Sequence, residues 1–337
     1  MTILISILGL ALLMVIHEGG HLLAARAFGM RVIRFSIGFG PALWKHQPRG
    51  SDTVYQIALI PFLAYVQIAG MNPLEEIDPD DKGSYANASL LGRISAIVAG
   101  PLANYLFASV FFFVAFLIGG EPTRIHVMKE GAAERAGMQN GDKVLSIDGT
   151  KIERWEQIPE LVLPRANQKM NIVVDRGGEQ KSIELVPEPK AKSGGGQIGV
   201  RPVSAVPALG VREAAVESII HPAKVVEALV VGLGRMITGR EKPEVSGPVG
   251  IVRETSRAAE QGAAEYLFLL GLLSAYLGGF NLLPFPALDG GRLMFLSYEA
   301  VTRRRPNAKI EAHVHAVGLL MLLALIAVVS VFDIRGK

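Results

Sequence analysis

The chain has 337 residues, half of them hydrophobic and only 19% charged, against roughly 25% charged in soluble domains. This balance points to segments facing lipid and excludes disorder or a collagen-like chain. With no cysteine, a disulfide scaffold, a thiolate metal site, an iron–sulfur cluster and a thiol nucleophile are excluded, so any metal must be held by His, Asp or Glu. A net charge of +3, with no dense basic patch, speaks against nucleic acid as a partner.

Residues 3–25 read as a first membrane-spanning helix, near the ~20 residues a bilayer needs. Three ionisable residues interrupt it: His17, Glu18 and His21. No basic residue precedes it, which disfavours a cleaved signal peptide. Residues 31–39 and 53–71 are rich in β-branched and aromatic residues and read as hairpin strands. Their apolar run at 57–68 predicts a hairpin dipping into the membrane beside the helices, where protein or a water-filled cavity satisfies its backbone. A second span is predicted at 94–118. Strand patterns at 125–129, 143–148, 170–175, 182–186 and 197–200, separated by Gly-rich turns, predict a small β-rich module with short helices at 132–137 and 155–162. Residues 208–238 read as amphipathic helix, either lying on the membrane surface or serving as a spacer. Third and fourth spans are predicted at 266–283 and 314–332.

The expected organisation is therefore a membrane part at 1–118, a β-rich domain at 119–202, a helical linker at 203–262 and a second membrane part at 263–337. Arg26, Arg31 and Arg34 follow the first span, and Arg303, Arg304, Arg305 and Lys309 lie between the third and fourth. Positive charge marks cytoplasmic loops, so 26–93 and the loop 290–311 are expected inside, and 119–262 outside.

His17-Glu18-Gly19-Gly20-His21 has the spacing HExxH. On a helix, residues i and i+4 share a face, so both imidazoles can reach one metal ion. Glu18 is turned roughly 100° away, where it contacts the attacking water rather than the ion and can move its proton. Gly19 and Gly20 each cost about 1 kcal/mol in a helix relative to Ala, which implies room for a backbone or a substrate. A catalytic zinc wants a third protein ligand and an open position. His313 and His315, at i and i+2, share no face; His46, His126 and His221 fall in loops or the external segments. Asp289, after the helix-breaking Pro284 and Pro286, is the best candidate, at the same membrane depth as HExxH. Asn104 and Asn281 are intramembrane polar groups. Either one binds substrate backbone or the developing oxyanion, or it joins helices.

These pieces together resemble the site-2 protease family of intramembrane zinc metalloproteases, bacterial type. The matching runs are His17 to His21, Phe35-Ser-Ile-Gly-Phe-Gly-Pro41, Ile60-Pro61 through Tyr65-Val66, Ala99-Gly-Pro-Leu-Ala-Asn104, Ser246-Gly-Pro-Val-Gly-Ile251, and Asn281 to Gly291. The resemblance implies one zinc ion held by His17, His21 and Asp289, Glu18 as acid and base, and substrate held by the hairpin at Tyr65 and Val66 and by the run containing Asn281 and Pro284. Family members often carry Gly-Gly before the hairpin Tyr-Val; Leu63 and Ala64 stand there in this chain. The external module, with Gly131 to Asp142 and Val144 to Gly149, resembles a permuted bacterial PDZ domain. That implies a carboxylate-receiving loop at Ile198, Gly199 and Val200, used either to bind a trimmed substrate end or to exclude bulky ectodomains.

The predicted fold is thus a polytopic α-helical membrane protein with four spans, a membrane-associated hairpin and an inserted PDZ domain. The expected activity is cleavage of single-pass membrane proteins, such as membrane-bound anti-sigma factors or signal-peptide remnants, after another protease shortens the ectodomain. The expected place is the bacterial cytoplasmic membrane. A catalytically silent PDZ scaffold and a metal transporter are the rival readings; the first needs no buried His–Glu–His–Asp set, and the second needs a polar path that the apolar second and fourth spans do not offer.

Overall fold

The computed structural model describes residues 2–76, 78–121, 123–190, 194–204, 206–240 and 247–335, with the side chains at 61–63, 237 and 334–335 left aside. Ser246 and the Leu63 side chain therefore lie outside what is described. The chain divides into two compact units, Met1–Phe113 with Ala215–Glu260 and Leu269–Lys337, and Val114–Ala214 with Gln261–Phe268.

In the first unit, α1 (Thr2–Ala27) is stopped by Gly29, whose left-handed φ of 74° lets Met30 N–H reach Ala25 O and Gly29 N–H reach Arg26 O. Those two bonds satisfy carbonyls that the helix end leaves open. Next come β1 (Val32–His46) and β2 (Val54–Ile68). The first predicted strand, 31–39, does not end at Gly-Phe-Gly-Pro. β1 continues through it with Gly38 and Gly40 at φ 94° and 92°, and a Cβ at Gly38 would lie 2.8 Å from Ala58 O. Both strands fold back on themselves, so the pairing order runs 42–46, 54–58, 32–37, 64–68. Phe39, Leu43, Trp44, Leu59 and Ile60, in the far part of this hairpin, are exposed.

Helix α2 (Leu90–Leu117) contains Pro101. Its start is fixed by a bidentate pair in which Arg93 Nη1 and Nη2 donate to Glu299 at 2.9 and 2.5 Å. Its Ile97 joins Met30, Val32, Phe35, Ile68, Tyr85 and Leu296 in a buried apolar cluster.

The second unit contains β3 (Ile125–Val127), α3 (Ala132–Arg135), β4 (Lys143–Ile147), β5 (Thr150–Lys151), α4 (Gln157–Val162), β6 (Met170–Arg176), β7 (Glu179–Leu185), β8 (Glu188–Pro189), β9 (Gly196–Gln197) and β10 (Val200–Pro202). The main sheet has the order β5-β4-β6-β7, and β3 pairs with β10. Alternate residues Met170, Ile172 and Val174 face one core with Val144, Ile147, Ile158 and Ile198. The predicted strand at 197–200 is split in two, because Gly199 is left-handed at φ 75° and its Cβ position lies 2.9 Å from Gly131 Cα.

Helix α5 (Val211–Ile237) and α6 (Pro248–Gln261) precede α7 (Ala263–Asn281), α8 (Asp289–Thr302) and α9 (Ala308–Arg335). Helix α8 corrects the predicted loop at 290–311. Gly290 and Gly291 sit in its first turn against the carbonyls of Leu283 and Phe285, and Leu296 is buried further along it. Among the described residues, four helices are long and apolar enough to cross a membrane: α1, α2, α7 and α9.

Asp142 opens β4, and its side chain is 1% exposed. Arg176 donates Nε to Oδ1 and Nη2 to Oδ2, both at 2.7 Å, and Gln139 N–H adds a third bond. Burial pushes this carboxyl up, but the Arg176 and backbone bonds outweigh it and hold it below its ordinary value. A depressed carboxyl stabilises the fold at neutral pH, and that contribution is lost as pH falls below the unfolded value through the folded one. Asp142→Ala leaves Arg176 without its buried partner and is expected to destabilise the second unit by about 3 kcal/mol, read as faster proteolysis within 123–204 of the full-length protein.

Candidate metal centre

The helical spacing puts His17 and His21 one above the other on the buried face of α1, 5% and 6% exposed. Their Nε2 atoms lie 3.2 Å apart. Asp289 Oδ2, from the first turn of α8, lies 3.2 Å from His17 Nε2 and 3.4 Å from His21 Nε2. This carboxylate oxygen is buried yet has no hydrogen bond of acceptable geometry among the described residues. Two ligands about 2.0–2.1 Å from a tetrahedral zinc ion stand about 3.3–3.4 Å apart. The three observed separations match that spacing, so the donor set fits zinc.

Helix α2 supplies what the imidazoles need behind them. Ala96 O accepts from His21 Nδ1–H at 2.7 Å. That bond fixes the proton on Nδ1 and leaves a lone pair on Nε2 for the metal. Gly100 is the space for the His21 ring, which a Cβ there would overlap, and Gly20 lets α1 reach the Ala99 carbonyl. Gly19, by contrast, has open space around its Cβ position. Asn104, 0% exposed, has its amide 3.2 Å from His17 Nδ1. With the nitrogen of that amide toward the ring, Oδ1 is buried without a partner. A half-turn of the amide, which barely changes its shape, makes Oδ1 the acceptor for Nδ1–H and gives His17 the same tautomer as His21. Its backbone is tied to α7, where Ser274 Oγ donates to Asn104 O at 2.8 Å. Helix α7 approaches closely because Gly278 faces Pro101 O, 2.8 Å from its Cβ position.

The remaining predicted site residues fall into two groups. Glu18 and the hairpin meet: Val66 N–H donates to Glu18 Oε2 at 2.9 Å. Tyr65 lies on the same strand, its hydroxyl accepting from Gln56 at 3.3 Å. Tyr65 and Val66 also border a cavity of about 540 Å³ with Met71, Asn72, Arg292 and His315. Asn281 and Pro284 stand apart from these contacts. Asn281 Nδ2 donates to its own helix at Leu277 O, and Pro284 is exposed. In the second unit, the carbonyls of Ile198 and Gly199 accept from Ala133 and Met128 N–H, and the Ile198 side chain is in the core. Motif reading missed the parts played by Ala96, Gly100 and His315. The Gly-Pro pair in α2 was the available signal for the second, because a helix-interior glycine marks close packing.

Since Asn104 orients His17, Asn104→Leu is expected to weaken zinc binding about 10–100-fold, measured by competition with a chromophoric chelator, while Asn104→Gln or →Asp retains more of it than →Leu.

Residues 5–325 match peptidase family M50. A putative zinc metalloprotease of Nostoc sp. is 33% identical over 96% of this chain and 93% of its own length. The zinc metalloprotease RasP of Geobacillus kaustophilus is 31% identical over 95% of this chain and 94% of its own. A putative zinc metalloprotease of Clostridium acetobutylicum is 29% identical over 98% and 97%. With motifs, metal-ligand geometry and nearly the full length in agreement, this chain belongs to peptidase family M50, the site-2 proteases.

Proposed function

We propose that this membrane-embedded zinc metalloprotease cleaves single-pass membrane proteins within the bilayer, after another protease has shortened their external part. One observation carries the reading: a His17–His21–Asp289 donor set, with Glu18 beside it, is built between apolar spans. Ionisable residues at such depth are costly and mark function.

His17, His21 and Asp289 would hold the zinc, whose chemistry there is to polarise the scissile carbonyl and make water more acidic. Glu18 takes the proton of the attacking water and delivers it to the leaving nitrogen. Val66 N–H holds Oε2 of Glu18, leaving Oε1 for that transfer. Asn104 and Ala96 keep the two imidazoles in the tautomer that can bind metal. The segment 64–68 is the last strand in the hairpin order, so an extended substrate adds there beside Tyr65 and Val66. The open space at Gly19 admits it near Glu18. Asn281 turns from Leu277 O toward the substrate backbone, with Pro284 keeping its loop open. A substrate helix must unwind first, since its carbonyls are already bonded.

Exposed Phe39, Leu43, Trp44, Leu59 and Ile60 support immersion of the hairpin in lipid. The basic residues at the C-terminal end of α1 and between α8 and α9 support a metal site toward the cytoplasm of a bacterial inner membrane. The second unit, read as a PDZ domain, then lies outside, where it screens substrates by bulk or receives a trimmed end at Ile198–Gly199–Val200. In reconstituted vesicles, Glu18→Ala is expected to lower cleavage of a model single-pass substrate at least 10³-fold while zinc content stays near one per chain; equal cleavage by the variant contradicts the mechanism. Adding a folded external domain to the substrate is expected to slow the wild type strongly, and equal rates count against screening.

A further inference from the structure

The third metal ligand is delivered by an unusual piece of backbone. Between the end of α7 at Asn281 and Asp289 the chain carries two prolines, and Ala287 sits in the left-handed region at φ 73°. Alanine has no side-chain polar group to compensate for that conformation, and L-residues avoid it because Cβ crowds the next carbonyl. Leu288 N–H closes a turn across it onto Phe285 O at 3.2 Å, and a group from outside the loop adds to that hold.

That outside group is His315. Ala287 N–H donates to His315 Nδ1 of α9 at 3.1 Å. One turn further along α9, Gly318 admits Pro286 so closely that a Cβ would collide with its ring. The loop is therefore gripped at two successive residues, just before the ligand. Accepting at Nδ1 places the His315 proton on Nε2, and Nε2 is buried with no hydrogen bond among the described residues. If the position served only packing, an apolar side chain would avoid that orphaned group. The imidazole is kept for its acceptor. It also contacts α8 directly, its ring 5.6 Å from that of Phe295.

We infer that His315 is a positioning residue: it accepts the Ala287 N–H, holds the loop in its left-handed conformation, and so presents Asp289 to His17 and His21. This rests on the zinc reading above, and it gives a role to a histidine that ligand geometry excludes.

The test uses the purified full-length protein and zinc affinity by chelator competition, measured separately from cleavage, so failure of the proteolytic reading leaves it intact. His315→Leu is expected to bind zinc about 10–100-fold more weakly than wild type. His315→Asn, whose side-chain oxygen can accept in place of Nδ1, is expected to recover most of that loss. Ala287→Gly in the His315→Leu background is expected to recover about 10-fold, because glycine adopts positive φ without strain. A structural role through packing alone predicts the reverse order, with Leu tolerated and Asn not. Wild-type zinc affinity in His315→Leu, or no rescue by either Asn or Ala287→Gly, overturns the inference. Should His315→Leu fail to fold, His315→Asn and His315→Gln with and without Ala287→Gly carry the same comparison, and absence of any gain from the glycine overturns it.

Discussion

Two imidazole nitrogens and one carboxylate oxygen meet within 3.4 Å in an apolar bundle, and this convergence sets the terms for the rest of the membrane unit. Lone pairs buried without partners cost free energy, so the helices must come close enough to orient each donor. That demand explains where the small residues lie. Gly20 brings α1 onto Ala99, Gly100 clears the His21 ring, and Gly278 brings α7 onto Pro101. Helix α2 is then less a passive span than the wall that fixes both imidazoles, through the Ala96 carbonyl and the Asn104 amide.

The hairpin is coupled to the same centre from the other side. A backbone N–H of its edge segment is bonded to Glu18, so the strand that would accept an extended substrate also orients the group proposed to move protons. In the proposed mechanism substrate docking and proton transfer would be neighbours, at the adjacent residues Tyr65 and Val66. The loop before Asp289 closes the arrangement, gripped by His315 and by Pro286 packed on Gly318.

Much of this was legible because helical periodicity is local. HExxH needs only the i, i+4 rule, and Asp289 followed from the lack of cysteine and the poor spacing of the other histidines. The β-rich strands were readable from their turn residues, including the Gly177–Gly178 turn between Arg176 and Glu179, both glycines at positive φ. What escaped depends on partners far along the chain. Residues 290–311 read as a loop, yet carbonyls of the preceding segment pack on Gly290 and Gly291 and make them the tight start of α8. The first hairpin strand read as ending at 39, yet it runs on, with Gly38 allowing a close crossing of the return strand. Gly199 divided a strand because Gly131 lies against it. Asn104 gave no sign of which group it faces until α1 stood beside it. His315 was set aside for sharing no face with His313, a test of ligation that says nothing about a backbone acceptor.

The central claim is that one zinc ion is held by His17, His21 and Asp289. Zinc K-edge absorption of the purified Glu18→Ala protein tests it most directly, since that variant keeps every proposed ligand. The account predicts about one zinc per chain in a nitrogen and oxygen shell at about 2.0–2.1 Å, with outer scattering from two imidazoles that falls to one in His21→Ala and remains two, at weaker occupancy, in Asp289→Ala. A shell without imidazole scattering, or full zinc occupancy at unchanged affinity in Asp289→Ala, would contradict it.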